Sequence, residues 1–311
     1  MILPHDLQEK VNKLYLNLNK QTLTQTRKNL TQKYKEQTGQ SKSLIESKTE
    51  SVLYAISRMP ATYSVLHTLF EQLQEQGFVR DVETVLDVGS GTGAGFFALK
   101  DIDLNLKVSL IERDKHMIDV FKTLTENTVE VCQNELLKID ENQKFDLVLT
   151  SYVLSEMSEN DRMSAVLKLL RLSNKYVLIV DTGTPRTYEN MMKIKKFVKE
   201  QGHNVVAPCM SEKCGLKNDY CQFYARVERS SLHKLAKSGE LSYEDEKYFY
   251  LLISKETYEK TGERVIRRPV VKENNIDLVV CSSEGVLHKN YTKKQKDLFK
   301  KAKKIKINGL M

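Results

Sequence analysis

The stretch that decides the fold is Val85-Leu86-Asp87-Val88-Gly89-Ser90-Gly91-Thr92-Gly93-Ala94-Gly95, which continues into Phe96-Phe97-Ala98-Leu99. It begins with a short apolar run, which is typical of a buried parallel strand. Glycines then stand at alternate positions before the helix that is predicted to follow. Glycine tolerates positive φ angles and close approach to the backbone, and a helix N-terminus offers unpaired N–H groups. The stretch therefore predicts a strand, a tight turn and a helix that together cradle a nucleotide.

Strand and helix patterns alternate from about residue 83 onward. The predicted strands lie at residues 84–88, 107–112, 128–132, 145–150, 175–181, 222–227, 247–253, 263–271 and 276–281. The first five are mostly apolar, as expected for a parallel sheet that is covered on both faces. The sequence thus predicts an α/β protein with a doubly wound, mostly parallel, Rossmann-like sheet.

Three regions are predicted along the chain. Residues 1–80 carry apolar positions at helical spacing and are expected to form an N-terminal helical cap. Residues 81–257 are expected to form the α/β domain, with a cysteine-rich insert at residues 207–222. Residues 258–311 are expected to be a small basic extension with strand-like runs. It ends in a basic helix or tail over residues 289–306, which contain nine lysines and one acidic residue.

Composition limits the classes of partner and compartment. The chain has 311 residues and a formal net charge of +8. A basic excess favours a polyanionic partner such as nucleic acid, although a lysine-rich background would give the same charge. No apolar run approaches the ~20 residues that span a bilayer, and no secretory signal or organelle presequence is visible. We therefore expect a monomer without membrane contact in the cytoplasm, most simply of a bacterium, and a mitochondrial location only for a eukaryotic source.

Two ligands fit the glycine turn. A Gly-x-Gly-x-x-Ala pattern begins at Gly89 and satisfies the dinucleotide fingerprint, so NAD is permitted. Glu112 ends the next strand, where a carboxylate can accept hydrogen bonds from ribose hydroxyls. Asp87 would suit the cationic end of S-adenosylmethionine and would repel a pyrophosphate, which favours S-adenosylmethionine. The run from Asp87 to Gly93 also resembles the first motif of the Rossmann-like methyltransferases. The predicted cofactor-binding residues are Asp87, Gly89, Gly91, Gly93, Glu112, Asn134 and Ser151.

The sequence defines a catalytic centre less well than a cofactor site. Enzymes that methylate base amino groups usually carry an Asp/Asn-Pro-Pro-Tyr motif after the fourth strand, and this chain has none there. It also lacks the Pro-Cys or Thr-Cys dipeptide that a covalent cytosine mechanism needs. Glu156 and Asp181, near the ends of the fourth and fifth strands, are the candidates for a general base. A solvated loop acid is the commoner role for either residue.

Three of the five cysteines crowd into the pattern Cys209-x4-Cys214-x6-Cys221, and Cys281 follows 60 residues later. Four thiolates satisfy a tetrahedral zinc ion or an iron–sulfur cluster. The spacing matches neither a common zinc knuckle nor the bacterial ferredoxin run, so free thiols remain the alternative. An odd number of cysteines in a reducing compartment argues against disulfides. Cys132, in a predicted core strand, is expected to be a small buried hydrophobic residue.

An ordered set of short motifs runs along the chain. The motifs are Arg58-Met59-Pro60-Ala61-Thr62-Tyr63, Val85–Gly93, Leu110–Asp114, Ser151–Glu156, Ala207-Pro208-Cys209, Cys214, Cys221-Gln222-Phe223, Arg226–Ser230, Arg267-Arg268-Pro269 and Cys281. In this set, from about residue 50 onward, the chain resembles the methyltransferase-like assembly factors of the mitochondrial small ribosomal subunit and their bacterial relatives. The resemblance implies binding to small-subunit rRNA. It also implies a [4Fe-4S] cluster, whose ligands map onto Cys209, Cys214, Cys221 and Cys281.

Several positions depart from the family pattern. Met210-Ser211 stands where the family usually has Pro-His, and Tyr220 and Gln222 flank the third cysteine in place of Trp and His. Asp181 stands where the fifth strand usually ends in Glu. All four sulfur ligands are retained. Two main hypotheses remain: an S-adenosylmethionine-dependent rRNA methyltransferase, and an assembly factor that binds rRNA without chemistry. An NAD-dependent oxidoreductase is a minor third hypothesis.

Basic residues gather around and beyond the cysteines, with tyrosines among them. Phosphate contacts together with stacking are what binding to structured RNA requires. A solvated basic face without a ligand is the alternative. The predicted RNA surface comprises Arg226, Arg229, His233, Lys234, Lys237, Arg264, Arg267, Arg268, the lysines of residues 289–306, and Tyr220, Tyr224 and Tyr243.

Overall fold

A computed structural model describes residues 2–16, 20–37, 39–40, 44–212, 214, 216, 219–237 and 239–311. Its central feature is an eight-stranded sheet. The strands are β1 (Thr84–Val88), β2 (Lys107–Glu112), β3 (Cys132–Gln133), β4 (Phe145–Ser151), β5 (Ser173–Thr182), β6 (Asn204–Ala207), β7 (Phe223–Glu228) and β8 (Tyr243–Ser254).

The strands follow the order β3-β2-β1-β4-β5-β8-β6, and β7 also pairs with β8. Strands β1 to β5 pair in parallel, whereas β8 runs antiparallel to β5, β6 and β7. This is the doubly wound, mostly parallel sheet of the Rossmann-like methyltransferases, so the predicted fold class is confirmed. The central strands are apolar on both faces because helices cover both faces, and Leu147, Val148 and Leu149 are fully buried.

Helices of the described chain precede the sheet and connect its strands. They are α1 (His5–Tyr15), α2 (Lys20–Gln37), α3 (Lys48–Ser57), α4 (Met59–Glu75), α5 (Ala94–Ile102), α6 (Lys115–Leu124), α7 (Glu159–Leu172), α8 (Pro185–Glu200) and α9 (Ser231–Lys237). Helix α7 begins after Ser158, whose side chain accepts a hydrogen bond from the backbone N–H of Asp161. No helix among the described residues is both long and apolar enough to span a membrane.

The N-terminal helices pack beside the carboxyl edge of the sheet. Lys33 on α2 donates to Glu46 at 2.7 Å and to Glu50 at 2.6 Å, which fastens α2 to the start of α3. The intervening Leu44 and Ile45 are buried. Residues 17–19, 38 and 41–43 of the predicted helical cap lie outside the described residues.

A second, smaller sheet follows the main one. It contains β9 (Arg264–Val265), β10 (Val270–Val271), β11 (Asn275–Ser282) and β12 (Gly285–Thr292), and α10 (Lys296–Lys304) packs on β11 and β12. Its own apolar cluster is formed by Val265, Ile276, Leu278, Val280, Tyr291 and Ala302.

Two expectations for single segments are wrong. Residues 289–292 belong to β12 and not to the basic helix, because Tyr291 alternates inward and fills the small apolar cluster. Cys132 is exposed and not buried, because β3 is a two-residue strand at the edge of the sheet. A short edge strand has one uncovered side, which an apolar run in the sequence does not reveal.

Candidate functional site

The glycine turn after β1 has the predicted backbone conformation. Gly89, Gly91 and Gly93 have φ angles of 72°, 55° and 87°. A Cβ on Gly93 would lie 2.2 Å from the Phe121 ring, so this glycine permits close packing of the turn on α6. A Cβ on Gly91 would meet nothing within 4 Å, because that residue faces open space. Gly91 therefore marks where a ligand can approach the backbone.

Glu112 joins the end of β2 to this turn. Its carboxylate accepts hydrogen bonds from the backbone N–H of Gly91 at 2.8 Å and of Asp114 at 2.8 Å. Burial raises the pKa of Glu112, although these N–H donors act in the opposite direction. The carboxylate therefore stands at the rim of the turn, where a ribose would have to pass.

A cavity of about 330 Å³ lies at the carboxyl ends of β1, β2 and β4. Parallel α/β sheets bind their ligands at this edge. The structure brings five of the seven predicted cofactor residues to the wall of the cavity, namely Gly89, Gly91, Glu112, Asn134 and Ser151. Asp87 and Gly93 lie behind the wall and do not line it.

Several wall residues were missed by sequence reasoning. Leu44, Ile45 and Tyr54 reach the cavity from the N-terminal helical region, and Tyr152 and Met157 come from the segment after β4. Apolar residues in a helical cap look the same in sequence whether they fill a core or cover a ligand, so no sequence signal separated them from packing residues. Tyr152 has a φ of +60°, which is rare outside glycine and asparagine, and its buried hydroxyl has no hydrogen-bond partner among the described residues.

Asp87 is a buried carboxyl group beneath the first turn of α5. A Cβ on Gly95 would lie 2.4 Å from its Oδ2, so glycine is needed for this contact. Both carboxyl oxygens are buried without a hydrogen-bond partner among the described residues. Burial raises the pKa of Asp87 to about 7, and the negative charge of Glu112 contributes. Such a group favours a cation at the neighbouring cavity.

The two candidate bases have different surroundings. Asp181 accepts hydrogen bonds from the backbone N–H of Ser155 at 2.9 Å and of Thr182 at 2.7 Å, and it does not line the large cavity. It therefore clamps the segment after β4 to the end of β5. Glu156 lines the cavity, and burial raises its pKa to about 8. Of the two candidates, only Glu156 is placed to exchange a proton with a ligand.

The ligand-free protein is expected to lose stability as pH rises through neutrality. Asp87 and Glu156 keep their protons up to about pH 7 and about pH 8 in the folded chain, whereas unfolded carboxyl groups release theirs near pH ~4. The stabilisation is complete below the unfolded value and is lost as pH rises through the folded values. For the fully buried Asp87 the loss is at most ~1.4 kcal/mol per pH unit.

Thermal unfolding between about pH 5 and about pH 9 measures this loss. The variant Asp87→Asn removes one of the two titrations and is expected to flatten the profile. A cationic ligand favours the ionised carboxylates, so its affinity is expected to rise over the same range. Stability that increases with pH would contradict the assignment.

The four predicted metal ligands meet at a second cavity, of about 30 Å³, between the sheet and the C-terminal strands. Cys209, Cys214, Cys221 and Cys281 all line it. The Tyr188 hydroxyl lies 2.9 Å from the Cys214 sulfur. Burial raises the pKa of Cys209 and of Cys221. Cys281 reaches the cavity from β11, which lies more than fifty residues further along the chain.

The donor set fits a thiophilic metal, but its present spacing is not that of a formed centre. Among the described residues, no three metal-ligating side chains are arranged so as to hold an ion. A volume of 30 Å³ accommodates about two water-sized spheres, so a larger group would require the cysteine loop to move outward. Residues 213, 215, 217 and 218 of that loop lie outside the described residues.

The predicted RNA surface divides into structural and exposed residues. Arg264 is 1% exposed and donates to the Pro208 carbonyl at 2.7 Å and to the Asn308 carbonyl at 2.9 Å, so it joins the two sheets. Lys237 and the buried His233 surround Glu244, together with Arg229. The expectation that Arg264 and His233 contact RNA is therefore wrong, because both are buried. Arg229 and Lys237 are partly exposed beside Glu244, and their contact with RNA stays a prediction.

Other members of the predicted surface remain open to solvent. The side chains of Arg226 and Arg268 are 48% and 57% exposed. Eight lysines of the C-terminal segment are also exposed, namely Lys293, Lys294, Lys296, Lys300, Lys301, Lys303, Lys304 and Lys306. Helix α10 turns Ala302 and Phe299 towards the small apolar cluster and its lysines outward.

Fold and site together define a Rossmann-like methyltransferase-type α/β protein with a nucleotide-sized cavity and a second cavity lined by four cysteines. A family model described as "Mitochondrial small ribosomal subunit Rsm22" matches residues 48–308, and the chain belongs to that family. The family predicted from the ordered motifs is thereby confirmed.

Individual known proteins are more distant. The mitochondrial ribosome assembly protein METTL17 of Homo sapiens is 23% identical over 259 residues, which are 76% of this chain and 56% of that protein. The chain thus spans about half the length of this curated relative. Magnesium protoporphyrin IX methyltransferase from Synechocystis, solved with bound S-adenosylmethionine, has a TM-score of 0.43 and 11% identity over 76% of this chain and 98% of that chain. The N-methyltransferase NodS from Bradyrhizobium japonicum, solved with S-adenosylhomocysteine, has a TM-score of 0.41 and 10% identity over 73% and 98%.

Proposed function

We propose that the chain is an S-adenosylmethionine-binding protein that acts on, or binds, the rRNA of the small ribosomal subunit during its assembly. The observation that carries the proposal is the 330 Å³ cavity, whose wall contains the open face of Gly91 and, hydrogen-bonded to its N–H, the Glu112 carboxylate. Family membership and the assembly role named for the human relative support the ribosomal partner. A bacterial cytoplasmic location and a monomeric state stay predictions.

S-adenosylmethionine fits the residues of this cavity better than NAD does. Glu112 is placed to accept hydrogen bonds from the ribose hydroxyls, and Asn134 and Ser151 add polar groups to the wall. The unpartnered oxygens of Asp87 favour the cationic end of the ligand and disfavour an anionic pyrophosphate. When bound, S-adenosylmethionine would supply an electrophilic methyl group. Calorimetry with S-adenosylmethionine and NADH tests the choice, and tight binding of NADH alone would overturn it.

Methyl transfer to rRNA is the second candidate function, and the position of Glu156 favours it. This side chain lines the cavity, and burial raises its pKa to about 8. In its ionised form it is placed to accept the proton that a nucleophilic group of the rRNA releases as it takes the methyl group. Mass spectrometry of rRNA from a deletion strain separates the two candidates. One missing methyl group would establish the enzyme, whereas an unchanged modification map would leave the binding function alone.

The four cysteines are proposed to hold a [4Fe-4S] cluster, with zinc as the alternative. Cys209, Cys214, Cys221 and Cys281 supply four soft thiolates around one cavity. The positively charged Lys195 and Lys260 act on Cys209 and offset part of the negative charge that the thiolates would bring. Such a centre would link the cysteine loop to β11 and so join the two sheets.

Binding to rRNA is expected to weaken with salt, and the exposed lysines of α10 are expected to set the dependence. The triple variant Lys301→Gln, Lys303→Gln, Lys304→Gln removes three charges that have no carboxylate within 4 Å in the described chain. Each lost phosphate contact lowers the slope of log affinity against log salt by ~0.7, so the slope should fall by roughly 2. Filter binding to a small-subunit rRNA fragment at several salt concentrations measures it.

A matched variant controls for net charge. Lys107, Lys122 and Lys196 are exposed lysines of the main domain, and their replacement with glutamine removes the same charge elsewhere. This control is expected to leave both affinity and slope close to those of the unmodified protein. Equal slopes for the two triple variants would remove α10 from the RNA-binding surface.

A further inference from the structure

Strands β7 and β8 present a polar outer face next to the cysteine loop. Phe223, Ala225 and Val227 alternate inward and are at most 2% exposed, so the intervening side chains of β7 point outward. In the register of the hairpin, Arg226 lies opposite Asp245. Arg268, from the connection between β9 and β10, reaches the same face.

Two arginines and two tyrosines on this face form a stacked set. The Arg226 guanidinium lies 4.2 Å from the centre of the Tyr243 ring, and the Arg268 guanidinium lies 4.6 Å from the centre of the Tyr224 ring. Asp245 lies between the arginines and accepts from Arg226 Nε at 2.9 Å and from Arg268 Nη2 at 2.7 Å. We name these five residues the tyrosine–arginine ladder.

The ladder presents ordered planar side-chain groups, guanidinium groups and tyrosine rings, at the protein surface. Tyr243 is 39% exposed, and the side chains of both arginines are about half exposed. Guanidinium planes that stack on rings and bond to one carboxylate are already ordered, so a ligand that stacks on them costs less side-chain entropy.

We propose that the tyrosine–arginine ladder binds unpaired bases of single-stranded RNA by stacking. The inference rests on the proposed function, in that the partner is RNA, and it adds the state of the RNA and the mode of contact. Every base has a face that stacks on an aromatic ring or a guanidinium plane. Among the described residues, no aromatic ring stacks on a lysine of α10, so these lysines suit phosphate contacts alone.

The double variant Arg226→Lys, Arg268→Lys in the full chain separates stacking from charge, because lysine keeps the charge and loses the plane. Its affinity for a single-stranded oligoribonucleotide is expected to fall about tenfold, with the salt slope unchanged. Tyr243→Ala should weaken binding in the same way, whereas Tyr243→Phe should retain it. Arg80→Lys, at an exposed arginine elsewhere, is the matched control and should bind as the unmodified protein does.

An abasic oligonucleotide of the same length gives the second comparison. The unmodified protein should bind it more weakly than the natural oligonucleotide, and the lysine double variant should bind the two alike. If the unmodified protein binds the natural and the abasic oligonucleotide with equal affinity, the ladder proposal is wrong while RNA binding stands. The same holds if the double variant binds the natural oligonucleotide as tightly as the unmodified protein does. If the double variant binds the oligonucleotide normally but no longer binds small ribosomal subunit particles, the ladder contacts a protein and the proposal is wrong. If no RNA binds at any salt concentration, the proposed function fails as well.

Discussion

Replacing Cys209 or Cys281 with serine is expected to remove the metal from the protein and to lower its unfolding temperature by more than ~10 °C. The two residues line the cysteine cavity from different segments, one after β6 and one on β11, so a metal bound there would tie the small sheet to the main sheet. Metal binding that requires the folded ligand set adds its free energy to folding, and structural sites contribute several kcal/mol or more. For a domain of this size, each ~1 kcal/mol shifts the midpoint by roughly 2–4 °C.

Anaerobic purification followed by iron, sulfide and zinc analysis measures the first effect, and thermal unfolding measures the second. Cys132→Ser is the matched control, since Cys132 is exposed on β3 and does not line the cavity. It should leave both metal content and unfolding temperature unchanged. If the protein contains stoichiometric zinc and no iron, the four cysteines bind zinc and not an iron–sulfur cluster. If the purified protein contains no metal and the serine variants are as stable as the unmodified protein, the proposed metal site is wrong.

Gly91→Ala is expected to weaken the binding of S-adenosylmethionine at least tenfold while leaving the fold intact. The φ of 55° costs an alanine ~1 kcal/mol, and nothing within 4 Å of the new Cβ disturbs the packing. The methyl group instead occupies the open face of the turn, where the ligand must approach the backbone. Isothermal titration calorimetry gives the affinity, and thermal unfolding without ligand gives the stability.

Gly202→Ala provides a control with the same backbone strain. Gly202 has a φ of 75°, follows the end of α8, and has nothing within 4 Å of its Cβ position. Both variants should lose similar stability, but Gly202→Ala should bind S-adenosylmethionine normally. Equal affinities for the two variants would show that the turn at Gly91 is not a ligand contact. Gly93→Ala is unsuitable as a test, because its Cβ would collide with Phe121 and disturb the fold.

Local patterns were sufficient for much of the fold and part of the site. The strands β1 and β2 have the predicted bounds, because continuous apolar runs between turn residues allow few other structures. Glu112 was predicted to bind a ribose from its position at the end of the second strand; it lines the cavity, and the ribose contact stays a prediction. Strand β6 and helix α9 were not predicted, since each is short and lies in a region without clear periodicity.

Charge patterns were a weaker guide than apolar patterns. Arg264 and Arg268 are four residues apart and look alike in sequence, yet one is buried under the Asn308 carbonyl and the other is exposed on the ladder. Asp181 and Glu156 likewise looked equivalent as candidate bases. The residues of each pair differ in burial and contacts because they pack against different segments that are distant in the sequence. Composition and spacing do not predict which distant segments come together.

The sequence by itself determined the doubly wound sheet, the glycine turn and the family. Each of these depends on contacts within a strand, a turn or a short motif, where side-chain order and spacing act directly. Only the tertiary structure decided that Cys281 meets the cysteine loop, that Leu44 and Ile45 line the cavity beside the glycine turn, and that Asp87 has no hydrogen-bond partner among the described residues. These depend on how distant segments pack, and packing sets burial, electrostatics and access in ways that no local pattern specifies.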